Sequence, residues 1–127
     1  MGRPRKRIRG TELVTWETVR HLVLALPESK EGKSYGTPAF RVRGKLFVRL
    51  HENGDSVVVS LDIEERGMRM RADPQAFYIT DHYIGYPWML VRLSAVRRDD
   101  LRDLLEESWR RHAPKRLVAK YDSTKSC

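Results

Sequence analysis

The sequence predicts an α+β fold, a two-layer α/β sandwich in which an antiparallel sheet carries helices on one face, in the order α-β-β-β-α-β-β-α. Apolar residues spaced three and four apart mark amphipathic helices near both ends of the chain. Between them, apolar and polar residues alternate with a period of two over residues 40–61, which indicates strands. The connections between the strands are short, so consecutive strands are expected to pair antiparallel.

The first helix is predicted over residues 15–26, with Thr15 as its N-cap and Pro27 as the residue that ends it. Its apolar face comprises Trp16, Val19, Leu22, Val23 and Leu26. The polar residues 28–32 that follow are predicted to form a loop.

A three-stranded meander is predicted next, over residues 40–43, 46–51 and 56–61. Gly44 and Asn53-Gly54 mark its turns, because these residues tolerate positive φ. Strict alternation turns one set of side chains toward the helices: Phe40, Val42, Leu46, Val48 and Leu50. The same alternation gives the opposite face Arg41, Arg43, Lys45, Phe47, Arg49 and His51, joined by Val58, Ser60, Trp88 and Arg92 from later strands.

In the second half of the chain the spacing of apolar residues again changes between that of helices and that of strands. A helix is predicted over residues 63–72, capped by Asp62, and strands over residues 77–80 and 88–93. A final helix is predicted over residues 100–112, capped by Asp99 and ended by Pro114, with a short helical turn over 115–121. We therefore expect one domain over residues 11–121, a disordered basic arm over 1–10 and a frayed tail over 122–127.

The net charge of +8 belongs to the two ends of the chain. Residues 1–9 carry five basic and no acidic residues, and residues 115–127 carry four basic residues and one acidic residue. Residues 10–114 hold 16 of each sign, so the body of the domain is neutral. The single cysteine, Cys127, excludes an internal disulfide framework. With no long apolar run and no signal-like segment, a cytoplasmic protein without a membrane span is expected.

Motifs for catalysis are weak in this sequence. The four histidines have no metal-ligand spacing, and neither a glycine-rich phosphate loop nor a nucleophile elbow occurs. We therefore expect a non-enzymatic protein with no cofactor and no metal.

Basic residues favour DNA as a partner. Gly2-Arg3-Pro4 is similar to the centre of an AT-hook, and cations interleaved with aromatic residues on an open sheet face can contact phosphates and stack on bases. The hypothesis of weakly sequence-specific DNA binding assigns these residues: Arg3, Arg5, Lys6 and Arg7 in the arm, and Arg41, Arg43, Lys45, Arg49 and Arg92 on the sheet. The alternative for the same open face, with Phe47 and Trp88, is a protein-interaction surface, including a homodimer.

Aromatic residues are dense between residues 77 and 88. Together with a residue from the earlier part of the chain they fit two interpretations, one of which is a small-molecule pocket lined by Tyr35, His82, Tyr83 and Tyr86. The alternative is that these rings fill the core with their polar edges near water.

Several segments resemble the MmcQ/YjbR-like family, of the DUF419 type. They are Ser34-Tyr35-Gly36-Thr37-Pro38-Ala39-Phe40, Arg43-Gly44-Lys45, His82-Tyr83-Ile84-Gly85-Tyr86-Pro87-Trp88, and Trp109 with Ala113-Pro114-Lys115-Arg116-Leu117, in order over residues 13–120. The resemblance implies a fold similar to that of type III secretion chaperones, and a proposed role in DNA binding through wing-like hairpins. It implies no catalytic residues. The basic turn Arg43-Gly44-Lys45 suits a wing, whereas the turn over residues 52–55 is acidic.

Overall fold

The computed structural model describes residues 13–125. Its elements in chain order are α1 (Trp16–Val23), β1 (Ser29–Ser34), β2 (Thr37–Val42), β3 (Lys45–Leu50), β4 (Ser56–Ser60), α2 (Ile63–Ala72), β5 (Phe77–Tyr78), a 3₁₀ turn (Asp81–Tyr83), β6 (Trp88–Arg92), α3 (Arg98–His112) and α4 (Lys115–Lys125). The predicted α+β class is confirmed.

The six strands form one antiparallel sheet in the order β1-β2-β3-β4-β6-β5. Helix α3 packs on β3 and β4, and α1 packs on α3. Alternate side chains of the central strands, such as Val57, Val59, Met89 and Val91, are fully buried against these helices. Trp109 of α3 is also fully buried, and its indole N–H donates to the carbonyl of Pro27 at 3.0 Å. The predicted meander is therefore the centre of the sheet.

The prediction of a loop over residues 28–32 is wrong, because residues 29–34 form the edge strand β1. Its central residues are exposed, so they lack the apolar alternation by which strands are recognised. Charged residues are common on edge strands, where they discourage pairing with another chain. Tyr35 (φ 54°) and Gly36 (φ 81°) then make a tight turn into β2, a conformation that favours glycine at the second position.

The predicted position of Phe47 on the open face is also wrong. Strand β3 contains a β-bulge, because Phe40 pairs with Val48 while the next residue, Arg41, pairs with Leu46. Phe47 is the additional residue, and its side chain is fully buried in the core. The bulge reverses the alternation before it, so Leu46 turns away from the helices rather than toward them. Two consecutive apolar residues carry no signal that fixes which of them faces the core.

Two helix boundaries differ from prediction: the C-terminal end of α1 and the N-terminal end of α3. The N-cap of α1 is Thr15 as predicted, but the helix ends at Val23. Helix α2 has the predicted bounds, and the Asp62 carboxylate accepts from the amide of Glu64 at 3.2 Å. Helix α3 begins at Arg98, so Asp99 lies in its first turn instead of capping it. A carboxylate there still stabilises the positive end of the helix dipole.

The C-terminal segment is more ordered than predicted. Helix α4 continues through Lys125, past the expected end at residue 121. Asp122, expected in a frayed tail, accepts two hydrogen bonds from the Arg110 guanidinium, at 3.0 and 2.6 Å. The predicted arm and Cys127 lie outside the described residues. Across residues 13–125, no helix is both long and apolar enough to cross a membrane.

We predict that Ser108→Ala destabilises the fold by about 2 kcal/mol, because it leaves two buried backbone groups unpaired. The Ser108 hydroxyl of α3 donates to the carbonyl of the bulge residue Phe47 (2.5 Å) and accepts from the amide of Ser60 (2.9 Å). Urea unfolding measures the change. Thr124→Ala, which removes an exposed hydroxyl from α4, is the control and should change stability by less than about 0.5 kcal/mol. Equal stability of the two variants would contradict the bridging role of Ser108.

Candidate functional site

The face of the sheet opposite α1 and α3, called here the outer face, is partly covered by the chain itself. Arg49 pairs with Val58, and Val58 pairs with Leu90, so these residues share the outer face. Residues 80–87, called here the aromatic loop, connect β5 to β6 and lie over part of this face. The outer face is therefore not the fully open surface that the sequence suggested.

One buried side chain, Arg66 of α2, holds the aromatic loop in place. Its Nη1 donates to the carbonyls of Tyr83 (3.0 Å), Tyr86 (2.6 Å) and Trp88 (3.0 Å). Its Nη2 donates to the carbonyl of Ile84 at 3.0 Å. A buried guanidinium is tolerated only when its N–H groups are paired, and an irregular loop has carbonyls to pair. Arg66, which is 6% exposed, and the loop therefore satisfy each other.

A cavity of about 550 Å³ lies between the aromatic loop and the outer face. Its volume is in the range of small-molecule sites. It is lined by Tyr35, Leu46, Arg49, His51, Glu52, Val58, Thr80, His82, Tyr83, Tyr86 and Trp88. Tyr35 and Tyr86 are mostly exposed at its rim, whereas Val58 is buried at its floor.

Arg49 is the buried cation of this cavity, with 7% of the residue exposed. Its Nη2 donates to the Tyr83 hydroxyl at 3.1 Å, which joins the sheet to the aromatic loop. Its Nη1 makes two longer contacts of 3.4 Å, to the carbonyl of Leu50 and to the carboxylate of Glu52. The guanidinium also lies 5.1 Å from the centre of the Tyr35 ring, a cation–π distance.

Glu52 supplies the only carboxylate among the residues that line the described cavity. A hydrogen bond from its own backbone amide, and then the charge of Arg49, lower the pKa of Glu52. The imidazole of His51 lies 3.6 Å from the same carboxylate through Nε2, and its Nδ1 accepts from the amide of Asn53 at 3.2 Å. A ring nitrogen that accepts carries no proton, so the neutral His51 holds its proton on Nε2.

The four residues predicted for a pocket, Tyr35, His82, Tyr83 and Tyr86, all line this one cavity. Sequence reasoning missed Arg66, although it lies four residues before Met70, which packs against the core. A charged residue at such a spacing lies on the buried side of a helix, and this signal was available.

Two of the cations predicted to contact DNA, Arg41 and Arg92, are engaged with protein groups. Arg41 donates to the carbonyl of Lys33 at 3.1 Å. Arg92 donates to the carbonyl of Gln75 at 2.5 Å and lies 4.2 Å from the centre of the Tyr78 ring. Their outward position agrees with prediction, but each is anchored to a neighbouring segment.

The remaining predicted cations differ in exposure. Arg49 is buried, so it is not presented to a phosphate backbone as expected. Arg43 is exposed at the turn between β2 and β3, where its guanidinium pairs with both oxygens of the Glu28 carboxylate. Lys45 is exposed at the start of β3, but it pairs with the core residue Val42, so the bulge places it on the helix side of the sheet and its predicted position on the open face is wrong. Residues Arg3, Arg5, Lys6 and Arg7 lie outside the described residues.

Basic side chains gather around Glu28, at a surface called here the basic end: Lys30, Arg41, Arg43, Arg116 and Lys120. A cavity of about 430 Å³ is lined by Glu28, Arg43, Arg116 and Lys120. An adjacent one of about 270 Å³ is lined by Lys30, Arg41 and Arg43 together with two carboxylates, Glu28 and Glu31. The hydrogen bonds from Arg43, followed by the charges of Arg43, Lys120 and Lys30, lower the pKa of Glu28. Across residues 13–125, no three His, Cys, Asp or Glu side chains form a metal-ligand group.

These features define a class of protein: a small α+β domain whose antiparallel sheet carries helices on one face and a loop-covered cavity on the other. A model of the YjbR family matches residues 24–111, a region that contains Arg66 and every residue that lines the cavity beneath the aromatic loop. The chain belongs to the YjbR family, as its resemblance to MmcQ/YjbR-like proteins indicated.

Known relatives agree with this assignment. Uncharacterized proteins Rv2570 of Mycobacterium tuberculosis and Mb2600 of Mycobacterium bovis are each 32% identical over 124 residues, covering 84% of this chain and 94% of theirs. The crystal structure of Deinococcus radiodurans protein DR2400, a DUF419 domain, superposes with a TM-score of 0.70 at 20% identity, covering 87% of this chain and 89% of that one. At that identity the likeness concerns the fold.

We predict that Arg66→Lys destabilises the protein by about 3 kcal/mol, because lysine cannot pair four dispersed carbonyls. Hydrogen exchange should accelerate most at the amides of residues 80–88, since the loop loses its anchor. Urea unfolding and exchange mass spectrometry measure these effects.

The control is Arg69→Lys on the same helix. Arg69 pairs with Glu65 at 3.1 Å near the surface, so its replacement should cost less than about 1 kcal/mol. Unchanged exchange at residues 80–88 in Arg66→Lys would contradict the anchoring role.

Proposed function

We propose that this protein binds a small molecule with an aromatic ring system in the cavity beneath the aromatic loop. The observation that carries this function is the convergence of Tyr35, Tyr83, Tyr86 and Trp88 on one cavity of about 550 Å³. Aromatic walls gain most from burying a flat apolar ligand, and their hydroxyl and N–H edges supply polar contacts.

Preorganisation supports a binding role. The four hydrogen bonds from Arg66 fix the aromatic loop, and the hydrogen bond from Arg49 to Tyr83 fixes one wall. A ligand that enters a cavity already formed does not have to order the loop, so less of its interaction energy is lost.

The proposed role is binding without catalysis. The carboxylate of the cavity, Glu52, has a lowered pKa, so it is a weak base at neutral pH. The imidazole of His51 lies 3.6 Å from that carboxylate.

Indole, a neutral bicyclic probe, tests the proposal in full-length protein. We expect amide chemical-shift changes confined to the segments that line the cavity, at residues 35, 46, 49–52, 58, 80–86 and 88, with a dissociation constant of about 1 mM or tighter. Tyr86→Ala removes a rim ring and should weaken binding about fivefold.

The matched control for this titration is Ile84→Ala. Ile84 is as exposed as Tyr86, at 60% against 61%, but does not line the cavity. Binding should therefore be unchanged. Shift changes that map to another surface, or no binding of indole, would refute a binding role for the cavity.

The basic end supports a second candidate function, weak binding of DNA through its phosphates. Arg43, Arg116 and Lys120 surround one carboxylate, and the adjacent Lys30 and Arg41 extend the positive surface. Lys45, which is exposed at the start of β3, lies beside the turn between β2 and β3 that carries Arg43. Such contacts attract any duplex and weaken with salt.

We predict that replacing Arg116 and Lys120 with alanine reduces the salt dependence of duplex DNA binding by about 2 in the log–log slope, one for each lost phosphate contact. Titrations between about 50 and 200 mM salt measure it. Arg71→Ala with Arg97→Ala removes the same charge from exposed positions elsewhere and is the control. A further variant with Arg5, Lys6 and Arg7 replaced by alanine measures the predicted arm separately. Equal slopes for the two double variants would exclude the basic end.

A further inference from the structure

We infer that the ligand of the aromatic cavity carries a carboxylate, and that Arg49 is the residue that recognises it. This inference rests on the proposed function and gives the ligand class: a planar aromatic carboxylic acid in its anionic form. The observation that carries it is a buried guanidinium whose charge is only loosely compensated within the cavity.

The geometry around Arg49 neutralises its positive charge only weakly. Its one counter-ion among the cavity residues is Glu52, at 3.4 Å, longer than the 2.7–2.9 Å of a well-formed charge-assisted hydrogen bond. The Glu52 side chain is 57% exposed, whereas that of Arg49 is 8% exposed. A cation in a low-dielectric site gains more from a close, shielded partner than from a distant, hydrated one.

A ligand carboxylate is a better partner for Arg49 than Glu52 is. Glu52 can turn into water at little cost, because it is already largely hydrated, and its place can be taken by an anion held inside the cavity. Arginine presents its N–H groups as a planar fork that matches the two oxygens of a carboxylate.

Tyr83 adds a second donor to the same position. Its hydroxyl oxygen accepts a hydrogen bond from Arg49, which leaves the hydroxyl hydrogen to point elsewhere. A carboxylate that contacts Arg49 lies within reach of this hydroxyl group. The two groups together define an oxyanion position at the inner end of the cavity.

The aromatic part of the ligand is oriented by the rim. The Tyr35 ring lies over the Arg49 guanidinium, and Trp88, whose ring stacks on His112 of α3 at 5.6 Å, also lines the cavity. A ligand whose carboxylate reaches Arg49 therefore brings its ring between aromatic side chains, where stacking stabilises it.

Two probes of the same shape test the inference: indole-3-acetate and its neutral analogue indole-3-acetamide. In full-length protein we expect the carboxylate to bind about tenfold more tightly than the amide, and this preference to shrink as salt is raised. Equal affinities would overturn the inference while leaving the binding function intact. If neither probe binds and indole itself does not bind, the proposed function fails as well.

Two variants test which residues cause the preference for the carboxylate probe. Arg49→Gln should abolish the preference, so that the two probes bind this variant with equal affinity; because the change also removes the hydrogen bond to Tyr83, the readout is the ratio of the two affinities within the variant. Glu52→Gln, at a side chain that is 57% exposed, should strengthen carboxylate binding about threefold by removing the competing anion. Glu64→Gln, an exposed glutamate on α2, is the control and should change nothing. A preference that survives Arg49→Gln, or a carboxylate affinity that Glu52→Gln does not raise, would overturn the assignment to Arg49.

Discussion

Four backbone carbonyls converge on the buried guanidinium of Arg66, and the outer half of the molecule depends on this interaction. The loop has backbone hydrogen bonds of its own, and its Pro87 carbonyl accepts from the Leu61 amide at 3.1 Å. Arg66 adds bonds to the carbonyls of Tyr83, Ile84 and Tyr86, which tie the loop to α2, and the loop then forms one wall of the cavity. The hydrogen bond from Arg49 to Tyr83 is possible only because Arg66 places the loop there.

The floor of the cavity depends on a second local constraint, the β-bulge at Phe47. The bulge sends Phe47 into the core and turns Leu46 toward the cavity, and the Ser108 hydroxyl pairs with the carbonyl of the bulge residue. The same bulge therefore shapes both the core and the cavity. It adds the Phe47 ring to the core and the Leu46 side chain to the lining of the cavity. Helix α3 holds the bulge from one face while the aromatic loop covers the other.

The sequence was informative where a strand is buried. Residues 56–60 are buried throughout and residues 88–92 at their three central positions, and these short apolar runs match the predicted strands to within one residue. Strand β1 lacks buried residues at its centre, so no period marks it, and its formation follows from pairing with β2. The bulge was invisible because Leu46, Phe47 and Val48 are all apolar. The density of aromatic residues did identify Tyr35, His82, Tyr83 and Tyr86 as a group, but the enclosing role of Arg66 arises from tertiary contacts between α2 and a loop about 20 residues away.

A cavity that exists before any ligand arrives is the central claim, and backbone ¹⁵N relaxation of the unliganded protein tests it most directly. If Arg66 fixes the aromatic loop, the amides of residues 80–86 and 88 should have order parameters near 0.85, like those of the neighbouring strands β4 and β6. Order parameters below about 0.6 across the loop, with rigid strands on either side, would contradict the claim, because the cavity would then have no fixed wall.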